Sequence, residues 1–175
     1  MKRLYVPLIL FLFLILEGVA IKFLPSRFVL GEQLMVPHWV LVLLIYVAVF
    51  YDRGNKSQAV IYAIIFGLLV DIVYTGILGV YMFSYAFVIY IIQNLKKLLH
   101  GNFFVMLLFS ILGLVLSDMF ITFIYDLVDI IVLNWDNYWL ERLLPTVLLN
   151  LVFFVALYPI LAKRLMEWGS ENNWD

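Results

Sequence analysis

The sequence predicts an all-α integral membrane protein with six transmembrane helices. Hydrophobic residue types make up 66% of its 175 residues, charged types make up 13%, and the mean hydropathy is +1.09. A soluble domain has about 45–50% apolar and about 25% charged residues, so this chain lacks the polar surface that water requires. Six helices of about 20 residues use roughly 120 residues, which leaves no room for a large soluble catalytic domain. We therefore expect residues 1–175 to form a single transmembrane domain.

Six apolar runs, separated by polar clusters, mark the expected spans. They cover approximately residues 4–24, 35–51, 58–74, 80–95, 103–125 and 143–161. The first run follows Lys2-Arg3 and shares features with a cleaved signal peptide, but Glu17 lies where cleavage would occur, so we interpret it as a span.

Two connections carry local structural signals. The third and fourth runs are joined only by Thr75–Gly79, and two glycines in five residues favour a tight turn with positive φ. We therefore expect these two helices to form an antiparallel hairpin. The run that begins at Phe103 continues to Leu133, about 30 residues, which is longer than a straight crossing needs. This length predicts a tilted helix or a break near Asp126.

The basic residues predict the orientation in the membrane. Three of them fall on one side, Lys22, Arg27 and Arg142, whereas eight fall on the other: Lys2, Arg3, Arg53, Lys56, Lys96, Lys97, Lys163 and Arg164. By the positive-inside rule, the side with eight is cytoplasmic and carries both termini. The outer loop between the fifth and sixth spans is acidic and aromatic. Because Trp135 and Trp139 are four residues apart, a short interfacial helix is expected there, most simply as an aromatic anchor.

Three carboxylates lie within apolar runs: Glu17, Asp71 and Asp118. Each costs roughly 2.5–3.5 kcal/mol at a helix centre, so a lipid-facing, unpaired placement is unfavourable. All three lie about 20 Å from the cytoplasmic ends of their spans at 1.5 Å per residue. Thr146, Asn150 and Ser84 fall at comparable depth and can donate to a carboxylate. We expect one polar layer in the outer half of the membrane, serving as a packing network, a partner-binding site, or a small-molecule or proton pathway.

Small residues precede two of these carboxylates. Gly67 lies one helical turn before Asp71 on the same face, and Gly113 with Ser117 precedes Asp118. Such residues allow a neighbouring helix to approach closely and to shield the carboxylate from lipid.

The sequence argues against an enzyme, a metal site or a cofactor. It contains no cysteine, and its two histidines, His38 and His100, are expected in loops on opposite sides of the membrane. Asp71 and Asp118 lie at similar depth, as an intramembrane aspartyl protease requires. However, the third span has Gly67-x-x-x-Asp71 rather than the Gly-x-Gly-Asp of such proteases.

Two stretches resemble the signature of the MreD family of rod shape-determining proteins. They are Phe66–Asp71 and Tyr74–Tyr81, and the entry to the sixth span, Leu144-Pro145-Thr146 with Asn150, is also similar. The resemblance marks Gly67, Asp71, Gly76 and Gly79 as motif positions, either structural or partner-binding. It also implies a fold similar to the substrate-binding subunits of energy-coupling-factor vitamin transporters.

The resemblance implies a non-enzymatic scaffold in the bacterial cytoplasmic membrane. Its expected partners are the transmembrane helix and membrane-proximal region of MreC, the MreB filaments directly or indirectly, a cell-wall glycosyltransferase and transpeptidase, and the lipid bilayer. No nucleic-acid partner is expected. The alternative is a vitamin-binding transporter subunit, but the first span lacks the ridge of small residues with which such subunits dock, having only Gly18 and Ala20 near its end.

Overall fold

A computed structural model describes residues 4–23, 35–52, 58–99, 102–131 and 134–171. These ranges contain helices and no strands. The helices are α1 (Tyr5–Phe23), α2 (Trp39–Tyr46, continued by a π-helical turn, Val47–Tyr51), α3 (Gln58–Val70, continued by a π-helical turn, Asp71–Thr75), α4 (Val80–Lys96), α5 (Phe103–Leu127), α6 (Trp135–Tyr138, continued by a π-helical turn, Trp139–Leu143) and α7 (Leu144–Glu171).

Four helical stretches in the described ranges are long and apolar enough to cross a membrane. They are Tyr5–Phe23, Gln58–Thr75, Phe103–Leu127 and Trp135–Ser170. The predicted class, an all-α membrane protein, is therefore confirmed. The stretch Trp39–Tyr51 is also apolar but shorter, and α4 has 17 residues, so the count of six crossings stays a prediction.

Successive long helices run in opposite directions. Near the end of α1, Glu17 contacts the start of α2 at Val40, while at the other end of the bundle the Tyr5 and Trp168 rings lie 5.3 Å apart. We call residues Trp135–Leu143 the strap, and the two ends of the bundle the strap end and the Asp52 end. Glu17, Asp71 and Asp118 all belong to the strap end.

The expected hairpin joins α3 and α4. Gly76 ends the π-helical turn with φ +69°, and Gly79 precedes α4 with φ +101°, both in the region that favours glycine. The predicted tight turn with positive φ is thus confirmed.

The helix bounds differ from the predicted spans at two places and agree with the expected break at a third. Residues 35–38 are not helical, since proline at position 37 disfavours helical geometry in the residue before it. The fifth helix ends at Leu127, close to the break expected near Asp126. The last helix continues past position 161 to Glu171, because Leu165 and Gly169 keep a buried face while Lys163 and Arg164 point outward.

Candidate functional site

Asp71 binds the start of the helix that follows it. Its Oδ1 accepts a hydrogen bond from the Tyr81 N–H at 2.9 Å, and its Oδ2 accepts from the N–H groups of Gly79 at 2.9 Å and Met82 at 3.1 Å. The first turn of a helix leaves such N–H groups without partners, and a carboxylate also favours the positive end of the helix dipole. The fully buried Asp71 is therefore paired within its own hairpin rather than with the rest of the polar layer.

Gly67 permits the close packing of α3 on α4. A Cβ atom at this position would lie 2.7 Å from Met82 Cα and 2.8 Å from the Tyr81 carbonyl oxygen. Backbone cannot move aside cheaply, so only glycine fits. One hairpin therefore contains all four motif residues: Gly67, Asp71, Gly76 and Gly79. The face of α3 at Gly67 is covered by α4 of the same chain.

Glu17 caps the start of α2 in the same way. The residue that precedes α2, His38, provides no side-chain cap, and Glu17 Oε2 accepts a hydrogen bond from the Val40 N–H at 2.9 Å. The Glu17 side chain is buried, so its carboxyl group is placed against helix-start N–H groups rather than lipid.

Asp52 caps α3 at the opposite end of the bundle. Its Oδ2 accepts from the Ala59 N–H at 3.0 Å and from Gln93 Nε2 at 2.6 Å. Lys96 Nζ donates to the Ala48 carbonyl at 2.9 Å and to the Asp52 carbonyl. Burial raises the pKa of the Asp52 carboxyl, and the Ala59 N–H and the Lys96 charge oppose that rise. Lys96 thus belongs to the helix junction rather than to an exposed basic rim.

Asn150 ties the last helix to the segment before α2. Its Oδ1 accepts from the His38 N–H at 2.7 Å, and its Nδ2 donates to the carbonyls of Val36 at 2.9 Å and Thr146 at 2.8 Å. The Thr146 hydroxyl accepts from the Val36 N–H at 3.2 Å. These two side chains supply the main-chain partners that this non-helical segment needs inside the bundle.

Asp118 is the centre of a buried cluster that includes a histidine. Its Oδ2 accepts from the Tyr138 hydroxyl at 2.7 Å, while Arg142 Nη2 lies 3.4 Å from its Oδ1. His38 Nε2 lies 3.7 Å from the same Oδ1, and His38 Nδ1 lies 3.0 Å from the Tyr85 hydroxyl. Both His38 and Asp118 are fully buried.

The residues predicted for the polar layer all lie buried at the strap end: Glu17, Ser84, Asp118, Thr146 and Asn150. Ser84 pairs with Ser117 at 3.0 Å between their hydroxyl oxygens. Asp118 and Asn150 are brought together through the ring and the N–H of His38. In contrast, Ser84 pairs with Ser117, and Glu17 is occupied by the start of α2.

Sequence reasoning missed His38, which it placed in a loop and gave no role. Its position between Pro37 and Trp39, with apolar flanks, was the available signal. His100 and the basic residues Lys2, Arg3, Arg27, Arg53 and Lys56 lie outside the described residues. Within the described part of the chain, no three His, Asp or Glu side chains are grouped to hold a metal ion.

The comparisons with known proteins match almost the whole chain. Residues 1–167 match the family model described as MreD, rod shape-determining protein MreD. The chain is also 33% identical over 165 residues to the rod shape-determining protein MreD of Bacillus subtilis (strain 168), covering 94% of this chain and 93% of that protein. The chain belongs to the MreD family.

Membership of the MreD family supports a role in rod-shape determination and agrees with the resemblance inferred from the hairpin residues. No solved structure matches the chain significantly. The similarity to energy-coupling-factor subunits therefore stays a prediction for this MreD-family chain.

Proposed function

We propose that this protein is a non-enzymatic scaffold subunit of the cell-wall elongation complex of a rod-shaped bacterium. In this role it binds MreC and helps to couple MreB filaments to a glycosyltransferase and transpeptidase that build peptidoglycan. Membership of the MreD family across residues 1–167 is the observation that carries the proposal. The geometry supports a scaffold in a second way, since the intramembrane carboxylates are engaged in main-chain and side-chain contacts that hold helices together.

The proposed orientation places the Asp52 end in the cytoplasm and the strap end outside, with six crossings of the cytoplasmic membrane. Lys97, Lys163 and Arg164 are exposed at the Asp52 end, where a basic rim suits cytoplasmic placement and contact with anionic lipid. Asp129 and Asp136 are exposed at the strap end. Because Lys96 is held by main-chain carbonyls, tests of this rim should use the exposed bases instead.

We infer that the transmembrane helix of MreC packs in a groove beside the strap. The hairpin face at Gly67 is covered by α4, so a partner helix needs another surface. An open groove of about 390 Å³ runs along the start of α7, and its lining is apolar: Met35, Leu140, Leu144, Pro145, Leu148, Leu149 and Val152. The groove adjoins the strap, which carries the acidic Asp136 and Glu141. This combination suits an apolar helix whose first residues outside the membrane are basic.

Co-purification and cell shape test this proposal together. Leu148→Trp fills the groove, and Leu12→Trp places the same bulk on a similarly exposed position of α1, since the two residues are 55% and 52% exposed. We expect the groove variant to lose co-purification with MreC and to give rounded cells, whereas the α1 variant retains both. If both variants insert normally and both retain MreC and rod shape, MreC binds a surface other than the groove. Failure of the unaltered protein to bring down MreC would reject the scaffold role itself.

A further inference from the structure

Two polar side chains of the strap meet one buried carboxylate of the bundle, beside the apolar contacts of the buried Tyr138 and Leu143. Tyr138 and Arg142, both in the strap, approach the two oxygens of Asp118 on α5 at 2.7 Å and 3.4 Å. Only 16% of the Arg142 side chain is exposed, and its Nε is buried without a hydrogen-bond partner among the described residues. The guanidinium group therefore depends on Asp118 for its charge neutralisation.

His38 approaches the same carboxylate from inside the bundle. Its Nε2 is buried, lies 3.7 Å from Asp118 Oδ1, and has no hydrogen-bond partner in the described part of the chain. Its Nδ1 is already paired with the Tyr85 hydroxyl. Arg142 and His38 thus face one oxygen, Oδ1, from the strap side and from the core side.

The polar groups around His38 come from several elements, and most of them are ionisable. Asp118 Oδ1 lies 3.7 Å from His38 Nε2, and Arg142 Nη2 lies 3.4 Å from the same oxygen. Glu17 binds the N–H two residues after His38, and α7 provides the uncharged Asn150. The rings of Tyr81 and Tyr85 lie beside that of His38, and Tyr138 reaches Asp118. Asp71 and Tyr125 interact with Tyr85 and Tyr81.

We propose that His38, Asp118 and Arg142 form a proton-sensitive latch that releases the strap when His38 becomes charged. When His38 is neutral, Arg142 alone neutralises the Asp118 carboxylate, so the strap stays bound to α5. A protonated His38 donates from Nε2 to Oδ1 and adds a positive charge beside the guanidinium. The carboxylate then balances two cations, and its attraction for Arg142 falls. The strap therefore loosens as the pH falls and His38 gains a proton.

Cysteine labelling measures the latch, since the sequence contains no native cysteine. Thr122 is fully buried, one turn past Asp118 and beside Tyr138, so Thr122→Cys reports whether the strap has opened. Asn137→Cys lies exposed on the strap and corrects for the effect of pH on thiol reactivity. Both single-cysteine proteins are labelled in lipid nanodiscs with a membrane-impermeant maleimide at about pH 5.5 and about pH 8.

We expect the corrected labelling rate at Thr122→Cys to rise about fivefold or more at the lower pH. In a His38→Gln background the rate should be low at both pH values, and in an Arg142→Gln background it should be high at both. A pH-independent rate with His38 present overturns the latch. So does a pH dependence that persists in His38→Gln, or a rate that is high at both pH values in that variant. If His38→Gln does not fold, Asp118→Asn removes the shared oxygen charge, and the same pH dependence must disappear.

Discussion

The carboxylate of Asp71 accepts a hydrogen bond from the N–H of Tyr81, ten residues further along the chain, at 2.9 Å. This contact explains why an acidic residue lies inside an apolar run. The cost of placing a carboxylate at membrane depth is offset because N–H groups at the start of α4 need an acceptor that lipid cannot provide. Glu17 and the start of α2 repeat the relationship at the same end of the bundle.

Replacing Asp71 should destabilise the hairpin in proportion to the acceptors removed. Asp71→Ala leaves buried N–H groups unpaired and should lower the free energy of unfolding by about 3 kcal/mol or more. Asp71→Asn keeps one acceptor oxygen and should lose less. Thermal unfolding in detergent or nanodiscs measures the order. If Asp71→Asn is as damaging as Asp71→Ala, the capping contacts are not what the carboxylate supplies.

Gly67 and Gly113 provide a matched pair of glycine-to-alanine substitutions. At Gly67 the new Cβ meets the backbone of α4 at 2.7 Å, whereas at Gly113 it meets the end of the Ile45 side chain at 2.8 Å. A side-chain end can rotate away but a helix backbone cannot, so Gly67→Ala should cost about 1–3 kcal/mol and Gly113→Ala clearly less. The melting temperatures of the two purified variants test this order. Equal losses would mean that the α3–α4 spacing is not set by Gly67.

Replacement of Asn150 by aspartate, its closest isostere, should lower the thermal stability of the protein. Asn150→Asp keeps an acceptor for the His38 N–H but replaces the Nδ2 donor, so an oxygen then faces the carbonyls of Val36 and Thr146. Leaving those groups unpaired and adjacent to a charge should cost about 2–3 kcal/mol. The loss should shrink at low pH, where the new carboxyl carries a proton and donates again. A pH-independent loss of thermal stability would contradict this assignment.

The hairpin was predictable from sequence because its signals are local. The glycines of the turn and the Gly67-to-Asp71 spacing lie within a short stretch, and the buried polar residues followed from their expected depth in the membrane. The partner of each polar side chain was not predictable. Asn150 binds His38, 112 residues away, and depth alone does not reveal which neighbour an amide faces. His38 was missed since a residue between helices is normally solvent-exposed, whereas this segment enters the bundle.

The end of α7 shows the same limit and gives a final prediction. The charged pair Lys163-Arg164 suggested that the span ends near residue 161, yet the helix continues and Gly169 packs on the π-helical turn after α2. A Cβ on Gly169 would lie 2.5 Å from the Tyr51 carbonyl oxygen, which is backbone. Gly169→Ala should therefore cost about 1–3 kcal/mol and speed proteolysis at the Asp52 end, while Ser170→Ala, at a partly exposed neighbouring position, should change neither. Indistinguishable melting and proteolysis of the two variants would show that α7 beyond residue 161 does not contribute to the packed bundle.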